Sequence, residues 1–191
     1  MRFVLKLLAA LALALALGLG SAYYAVIVQT LSKTAVVNGP WSGNLAAGGT
    51  SADMYARAAV AVGGLLALNK SETIYFVADS DSAGDAFDAR CTYRIEGRDP
   101  DARWWSITAY GKDRFLIDTP SQRYSVGKSN VVRTADGAFV IRVSTAQHVE
   151  NWIAASPDGF ILALRLYNPG PKVTDDPATT ALPAIVKEAC Q

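Results

Sequence analysis

The sequence predicts a mainly β domain, an antiparallel sandwich or barrel with one packing helix at its start, placed behind a transmembrane helix. Three observations carry this reading. No charged residue occurs from Leu7 to Ser32, and about 20 apolar residues suffice to cross the hydrocarbon core of a bilayer. From Thr73 onward, apolar and polar side chains alternate with period two in one run after another, the pattern of half-buried strands. Those runs follow in series without helical patterns between them, which argues against a βαβ plan.

The apolar run comes first. Arg2 and Lys6 flank its start and no acid lies within it. Leu and Ala dominate it and favour helix. Tyr23 and Tyr24 stand near its far end, where amphipathic rings suit a membrane interface. A cleaved signal peptide is the competing reading, with Gly20-Ser21-Ala22 as its small-residue cleavage site. Ala25-Val26-Ile27-Val28 prolongs the run past that site, which favours a retained anchor. Both readings export the domain, and the positive-inside rule leaves Arg2 and Lys6 behind. The expected organisation is an anchor or signal over 1–30, a linker over 31–50 and a domain over 51–191.

The linker is read from Asn38-Gly39-Pro40 and Gly48-Gly49, which break regular structure. Trp41 is out of place in a free tether and is expected to pack on the domain. A helix follows. Thr50 and Asp53 make a capping-box-like start. Met54, Ala58, Ala61, Val62, Leu65 and Leu66 recur at helical spacing and are expected to form its buried stripe. Gly63-Gly64 costs about 1 kcal/mol per glycine relative to Ala, which points to close packing on a sheet. Asn69 and Lys70 close the helix.

Strands are expected over Thr73–Ala78, Cys91–Glu96, Trp104–Tyr110, Phe139–Ser144 and Phe160–Tyr167. In the last of these, Phe160, Leu162, Leu164 and Leu166 should face the core and Arg165 the other side, with Ile161, Ala163 and Tyr167. Asp136-Gly137, Pro157-Asp158-Gly159 and Gly97 through Pro100 supply turns. The tail after Asn168-Pro169-Gly170-Pro171 reads as irregular.

Charge narrows the function classes. The 191 residues carry 18 basic and 17 acidic side chains; without Arg2 and Lys6 the exported part has 16 basic against 17 acidic. A nucleic-acid binder shows a basic excess or stripe, so no nucleic-acid partner is expected. Cys91 and Cys190 are the only cysteines. In an oxidising compartment they are disulfide candidates, the alternative being two unrelated buried thiols.

Sites for chemistry are sparse. Asp79-Ser80-Asp81-Ser82-Ala83-Gly84-Asp85 begins like a calcium loop, but Ala83 and Arg90 stand where oxygen ligands are needed; it is read as a solvated hairpin. His148 is the only histidine, so any Ser-His-Asp arrangement must use it, and no G-x-S-x-G elbow exists. One His and two distant Cys make no zinc cluster. Asp113, Asp118, Glu150 and Asp158 show no spacing that singles out a glycosidase pair. No metal or cofactor is expected.

Several segments, in order, resemble one bacterial family: Arg57–Asn69 (RAAVAVGGLLALN), Thr73–Phe76 (TIYF), Trp104–Tyr110 (WWSITAY), Arg123–Gly127 (RYSVG), Ala135–Gly137 (ADG), Asn151-Trp152 and Leu164–Pro169 (LRLYNP). Together they resemble the domain of unknown function 1214 family over about residues 52 to 188. The resemblance implies a jelly-roll-like β-sandwich and an exported or envelope protein of unproven activity. Many members carry a further domain of unknown function ahead of this one, where this chain has its apolar segment and linker.

Family motif positions and residue chemistry together give the candidate ligand-binding set: Trp104, Tyr110, Arg123, Tyr124, Asn151, Trp152, Arg165 and Tyr167. Flat rings offer stacking, and a guanidinium fork suits carboxylate or phosphate. The competing reading is that these side chains cover a sheet face and satisfy backbone carbonyls. The expected protein is a single-pass inner-membrane protein with its C-terminal domain in the periplasm. It is expected to bind a glycan, a small anionic ligand or an envelope protein without catalysis. A hydrolase with an unassigned site is the alternative.

Overall fold

The computed structural model describes residues 2–29, 35–50, 52–62 and 67–190. Helix α1 spans Arg2–Tyr23 and runs into a π-helical turn over Tyr24–Gln29. Its 22 residues rise about 33 Å at about 1.5 Å each. It is long and apolar enough to cross a membrane, and no residue of α1 is buried by the rest of the chain.

The domain is mainly β, built from two sheets. Six strands form the larger one: β1 (Ala35–Asn38), β2 (Trp41–Asn44), β3 (Thr73–Ala78), β9 (Phe160–Pro169), β5 (Ala102–Gly111) and β6 (Ser125–Gly127), in that spatial order. Every pairing in it is antiparallel. Four strands form the smaller: β10 (Ala184–Cys190), β4 (Cys91–Gly97), β7 (Phe139–Ser144) and β8 (Trp152–Ala154). The expectation of a purely antiparallel fold is corrected here, because β7 and β8 run parallel. Parallel neighbours usually need a long crossover. The short connection 145–151 suffices because β8 is only three residues long.

Alternation explains the core. Ile74, Phe76, Trp105, Ile107, Leu162, Leu164 and Leu166 of the large sheet meet Tyr93, Ile95, Phe139, Ile141, Val143 and Ile185 of the small one in one buried cluster. Trp105 stacks on Phe139 with ring centroids 4.9 Å apart. Phe87 lies against both Phe160 and Tyr93. All five predicted strands form as expected, give or take their ends.

Three expectations need correction. The segment read as a linker contains the β1–β2 hairpin, turned at Gly39 in the left-handed region that glycine reaches without strain. Trp41 is buried, as expected, and its Nε1 donates to the Pro183 carbonyl at 2.7 Å. Asn38 Nδ2 donates to the Pro177 and Thr180 carbonyls at 3.0 and 2.7 Å. The tail that donates these carbonyls is not irregular throughout: it forms helix α3 (Pro171–Asp175) and then β10.

Helix α2 (Met54–Val62) is capped by Asp53, whose Oδ1 accepts the Ala56 amide at 2.8 Å; Thr50 is not the cap. Its buried residues are Ala56 and Ala59, not the predicted stripe. Met54, Ala61 and Val62 are exposed and Ala58 is half-buried. Periodicity marks an apolar face but does not say what will cover it. The predicted stripe residues Leu65 and Leu66, and Gly63-Gly64, lie outside the described residues.

Cys91 and Cys190 are joined in a disulfide that ties the first residue of β4 to the last of β10. Just before it, the Arg90 guanidinium donates to the Asp88 carboxylate and holds that carboxyl down to about 2. Ion pairs cover the outer side of the small sheet: Arg94 with Glu96 at 2.9 Å and Arg142 with Glu188 at 3.2 Å.

Candidate functional site

The outer face of the large sheet is set by the same alternation that builds the core. With Leu164 and Leu166 turned inward, Arg165 projects outward beside Ala163 and Tyr167, as the sequence predicts. Register places Arg165 between Tyr75 of β3 and Ser106 of β5. Tyr167 lies between Thr73 and Trp104, and Thr108 sits opposite Ala163. The face thus carries Tyr75, Trp104, Tyr110 and Tyr167 along with Arg165, and Ser106 and Thr108 are buried at its floor.

Arg165 is half-buried. Its Nη1 donates to Thr108 Oγ1 at 3.1 Å and its Nη2 to the Tyr110 hydroxyl. Its Cζ stands 5.3 Å from the centre of the Tyr110 ring, within cation–π range. Among the described residues it has no carboxylate partner. Five other arginines of the domain do: Arg90 with Asp88, Arg94 with Glu96, Arg98 with Asp136, Arg133 with Asp99 and Arg142 with Glu188. Hydroxyls orient the Arg165 guanidinium without neutralising it. Two of its five N–H donors are engaged, and the fork suits a carboxylate or phosphate bound side-on.

Trp104 lies further along the same face, opposite Tyr167. Its indole Nε1 donates to Ser129 Oγ at 2.8 Å, and its ring lies 5.3 Å from that of Tyr167. It is 38% exposed, enough to offer a flat apolar surface while held in place by two neighbours. Arg123, exposed and two residues ahead of β6, lies on the same sheet edge; its carbonyl accepts the Ala154 amide at 3.1 Å. The half-buried Tyr124 accepts the Ala109 amide through its carbonyl at 3.2 Å.

The structure does not bring all eight candidate residues together. Asn151 and Trp152 belong to the small sheet. Asn151 Oδ1 accepts the Val132 amide at 2.7 Å, and its Nδ2 donates to the Val132 and Val140 carbonyls at 2.6 and 3.1 Å. Its φ of 34° lies in the left-handed region, which Asn tolerates better than most residues. The side chain therefore staples the 131–133 loop to β7 at the entrance of β8. Trp152 is buried, and its Nε1 donates to the Ser144 carbonyl at 3.2 Å. Asn151→Ala removes three hydrogen bonds, each worth about 0.5–1.5 kcal/mol net, and adds about 1–2 kcal/mol of left-handed strain. The expected loss is about 2.5–6.5 kcal/mol in chemical denaturation, with the Arg165 hydrogen bonds undisturbed in the folded variant.

The other sequence motifs resolve structurally. The acidic loop is not a solvated hairpin, because β3 and β4 lie in different sheets. Asp81 is buried, and its Oδ1 accepts the Ala83 and Asp85 amides at 2.9 and 3.0 Å. Ser82 bonds Ile185 in both directions, so the loop clasps β10. His148 lies in the β7–β8 connection, with its Nε2 buried and unpartnered. Asp113 Oδ1 accepts the Phe115 amide at 3.0 Å within the turn after β5.

Two clefts occur elsewhere. One, of about 340 Å³, lies beside α2 between Gly48, Ala56, Val60 and Ala67. The other, of about 400 Å³, is polar and lies among Asp99, Asp101, Lys128, Lys172 and Thr180. Neither includes Arg165. No spacing pattern foretells that the floor beneath Arg165 is made of Ser106 and Thr108.

A two-sheet domain of this order, with its motif residues on the outer face of the larger sheet, can be placed among known proteins. The chain belongs to the family described as Protein of unknown function (DUF1214), whose model matches residues 72–171, from the start of β3 to the end of β9. Among solved structures it is similar to the VPA0106 protein from Vibrio parahaemolyticus, with 23% identity and a TM-score of 0.59. That match covers 73% of this chain and 36% of the other, so this chain spans about a third of the length of that one, and the likeness is one of fold. An uncharacterized protein from Burkholderia cenocepacia matches at 20% identity and a TM-score of 0.44, over 63% of this chain and 30% of that one. No curated protein matches the chain.

Proposed function

We propose that this protein is a non-catalytic binding module of the bacterial envelope, held in the inner membrane by α1, with its β domain in the periplasm. Its ligand is a small anion, or the anionic group of a glycan, received at Arg165. One observation carries the reading: a half-buried guanidinium oriented by Thr108 and Tyr110 with no carboxylate among its described neighbours. A half-buried guanidinium oriented by hydroxyls keeps its charge for an incoming anion. An anionic ligand supplies the missing charge, and Trp104, Tyr110 and Tyr167 supply ring surfaces for its apolar part. Export is supported by the apolar helix and by the disulfide, which belongs to oxidising compartments. The two sheets are read as a jelly-roll-like sandwich in keeping with the family resemblance.

The test compares wild type with Arg165→Met in a thermal-shift screen of carboxylated, phosphorylated and neutral small ligands and glycans. Anionic ligands should stabilise the wild type and leave the variant unmoved. Because Arg165 is bonded to hydroxyls, its removal strands no carboxylate. The variant should lose less than about 2 kcal/mol, against about 3–5 kcal/mol for a broken buried ion pair. Equal stabilisation of both proteins by the same anions would refute the site. A reporter fused after Gln191 should be active only outside the cytoplasm, in a chain that fractionates with membranes.

A further inference from the structure

We propose that helix α2 lies in the plane of the membrane surface, with Met54, Tyr55, Ala58, Ala61 and Val62 seated at headgroup level beside the end of α1. This rests on the anchoring role of α1 proposed above and assigns the domain a second, peripheral contact with the bilayer. The first ground is exposure. Met54 is 75% exposed, Tyr55 49% and Val62 70%, while the helix buries only Ala56 and Ala59. A helix that faces water normally shows it the polar side; α2 buries its small residues and presents its large apolar ones. The stripe at 54, 58, 61 and 62 is continuous along one side, and the only charge on α2 is Arg57.

The second ground is position. Helix α2 packs against the π-helical turn Tyr24–Gln29, which continues α1 without a break. If α1 crosses the bilayer, its last turn emerges at the interface, where Tyr23 and Tyr24, both largely exposed, fit the aromatic belt. Anything held against that turn is held at the same depth. The bilayer is therefore the occupant that continuity selects for the exposed stripe. The chemistry of the helix agrees: an apolar side, a tyrosine and one arginine are the parts of an interfacial helix. Arg57 is fixed nearby by donating to the Ala52 carbonyl at 3.0 Å, which places a cation where anionic headgroups lie.

The chain contains two methionines, Met1 and Met54, which makes the test direct. Full-length protein labelled at methionine methyls is reconstituted in nanodiscs of phosphatidylcholine and phosphatidylglycerol. Part of the lipid carries a nitroxide high on the acyl chain. Both methyl signals should lose most of their intensity, and a water-soluble gadolinium chelate should leave Met54 largely untouched. The double variant Tyr55→Glu, Val62→Glu should restore the Met54 signal while Met1 stays broadened. A wild-type Met54 signal that survives the nitroxide and yields to the chelate, with Met1 broadened, overturns the proposal and leaves the anchor standing. So does a Met54 signal shielded from both agents that yields to the chelate on dilution to one chain per disc, because a second copy then covered the stripe. Protein that elutes apart from the discs and lacks the Met1 signal refutes the anchor, and this proposal with it.

Discussion

Replacing Trp41 with alanine should destabilise the domain by about 3–5 kcal/mol, the range for truncating a fully buried tryptophan. The residue lies in a stretch whose composition suggests a tether, yet it is 1% exposed and belongs to the central cluster. Its indole donates to the Pro183 carbonyl, so the same side chain joins the first hairpin to the segment that leads into β10. Trp41→Phe separates the two contributions. It keeps most of the ring's contacts but leaves the Pro183 carbonyl unmet, and should cost about 1–3 kcal/mol. The midpoint of chemical denaturation, followed by the remaining tryptophans, measures both. A Trp41→Ala change within about 0.5 kcal/mol of wild type, the range of ordinary surface substitutions, would show that the hairpin is an appendage.

Removing the disulfide with Cys91→Ala and Cys190→Ala together should cost about 2–5 kcal/mol. The bond joins residues 99 apart in sequence, and chain-entropy models assign about 4.7 kcal/mol to a loop of about 100 residues. The structure adds a local reason. Strand β10 is an edge strand with a register shift between Lys187 and Ala189, and Cys190 is its last residue. Without the bond, the end of β10 is held by its ladder to β4, the Ser82–Ile185 clasp and the exposed ion pairs of Lys187 with Asp85 at 2.9 Å and Glu188 with Arg142 at 3.2 Å. The melting temperature should fall by about 5–15 °C, and the amides of 186–190 should exchange with solvent well before those of β4. An oxidised wild type that melts no higher than the double variant would contradict this.

The long strands were legible because each buries one face for six or more residues. Arg165 facing outward follows from Phe160, Leu162, Leu164 and Leu166 facing in, with no knowledge of neighbours. The short strands were not legible. β6 and β8 have three residues each, too few for a period to show, and β8 is buried on both faces. The β1–β2 hairpin is held by carbonyls about 140 residues away, a contact that no local pattern encodes. Family motif positions and residue type grouped Asn151 with Arg165. The structure separates them because Asn151 spends its amide on the 131–133 loop and β7, whereas Arg165 meets hydroxyls and the Tyr110 ring. Helix α2 shows the converse limit. Its periodicity picked out the wrong face as buried: Ala56 and Ala59 are covered while Met54, Ala61 and Val62 are exposed, and the helix packs on the turn after α1.

Anion binding at the Arg165 face can be followed residue by residue by nuclear magnetic resonance. Four tryptophans give four indole N–H signals, from Trp41, Trp104, Trp105 and Trp152. An anionic ligand identified in the screen is titrated into the protein while those signals and the arginine Nε–H signals are followed. The Arg165 and Trp104 signals should move together and saturate at one affinity. Trp41, Trp105 and Trp152, buried and bonded to Pro183, Asp99 and Ser144, should stay in place. Saturable movement of Arg94, Arg98 or Arg142 with Arg165 and Trp104 at rest would put the anion on the small sheet and contradict the assignment.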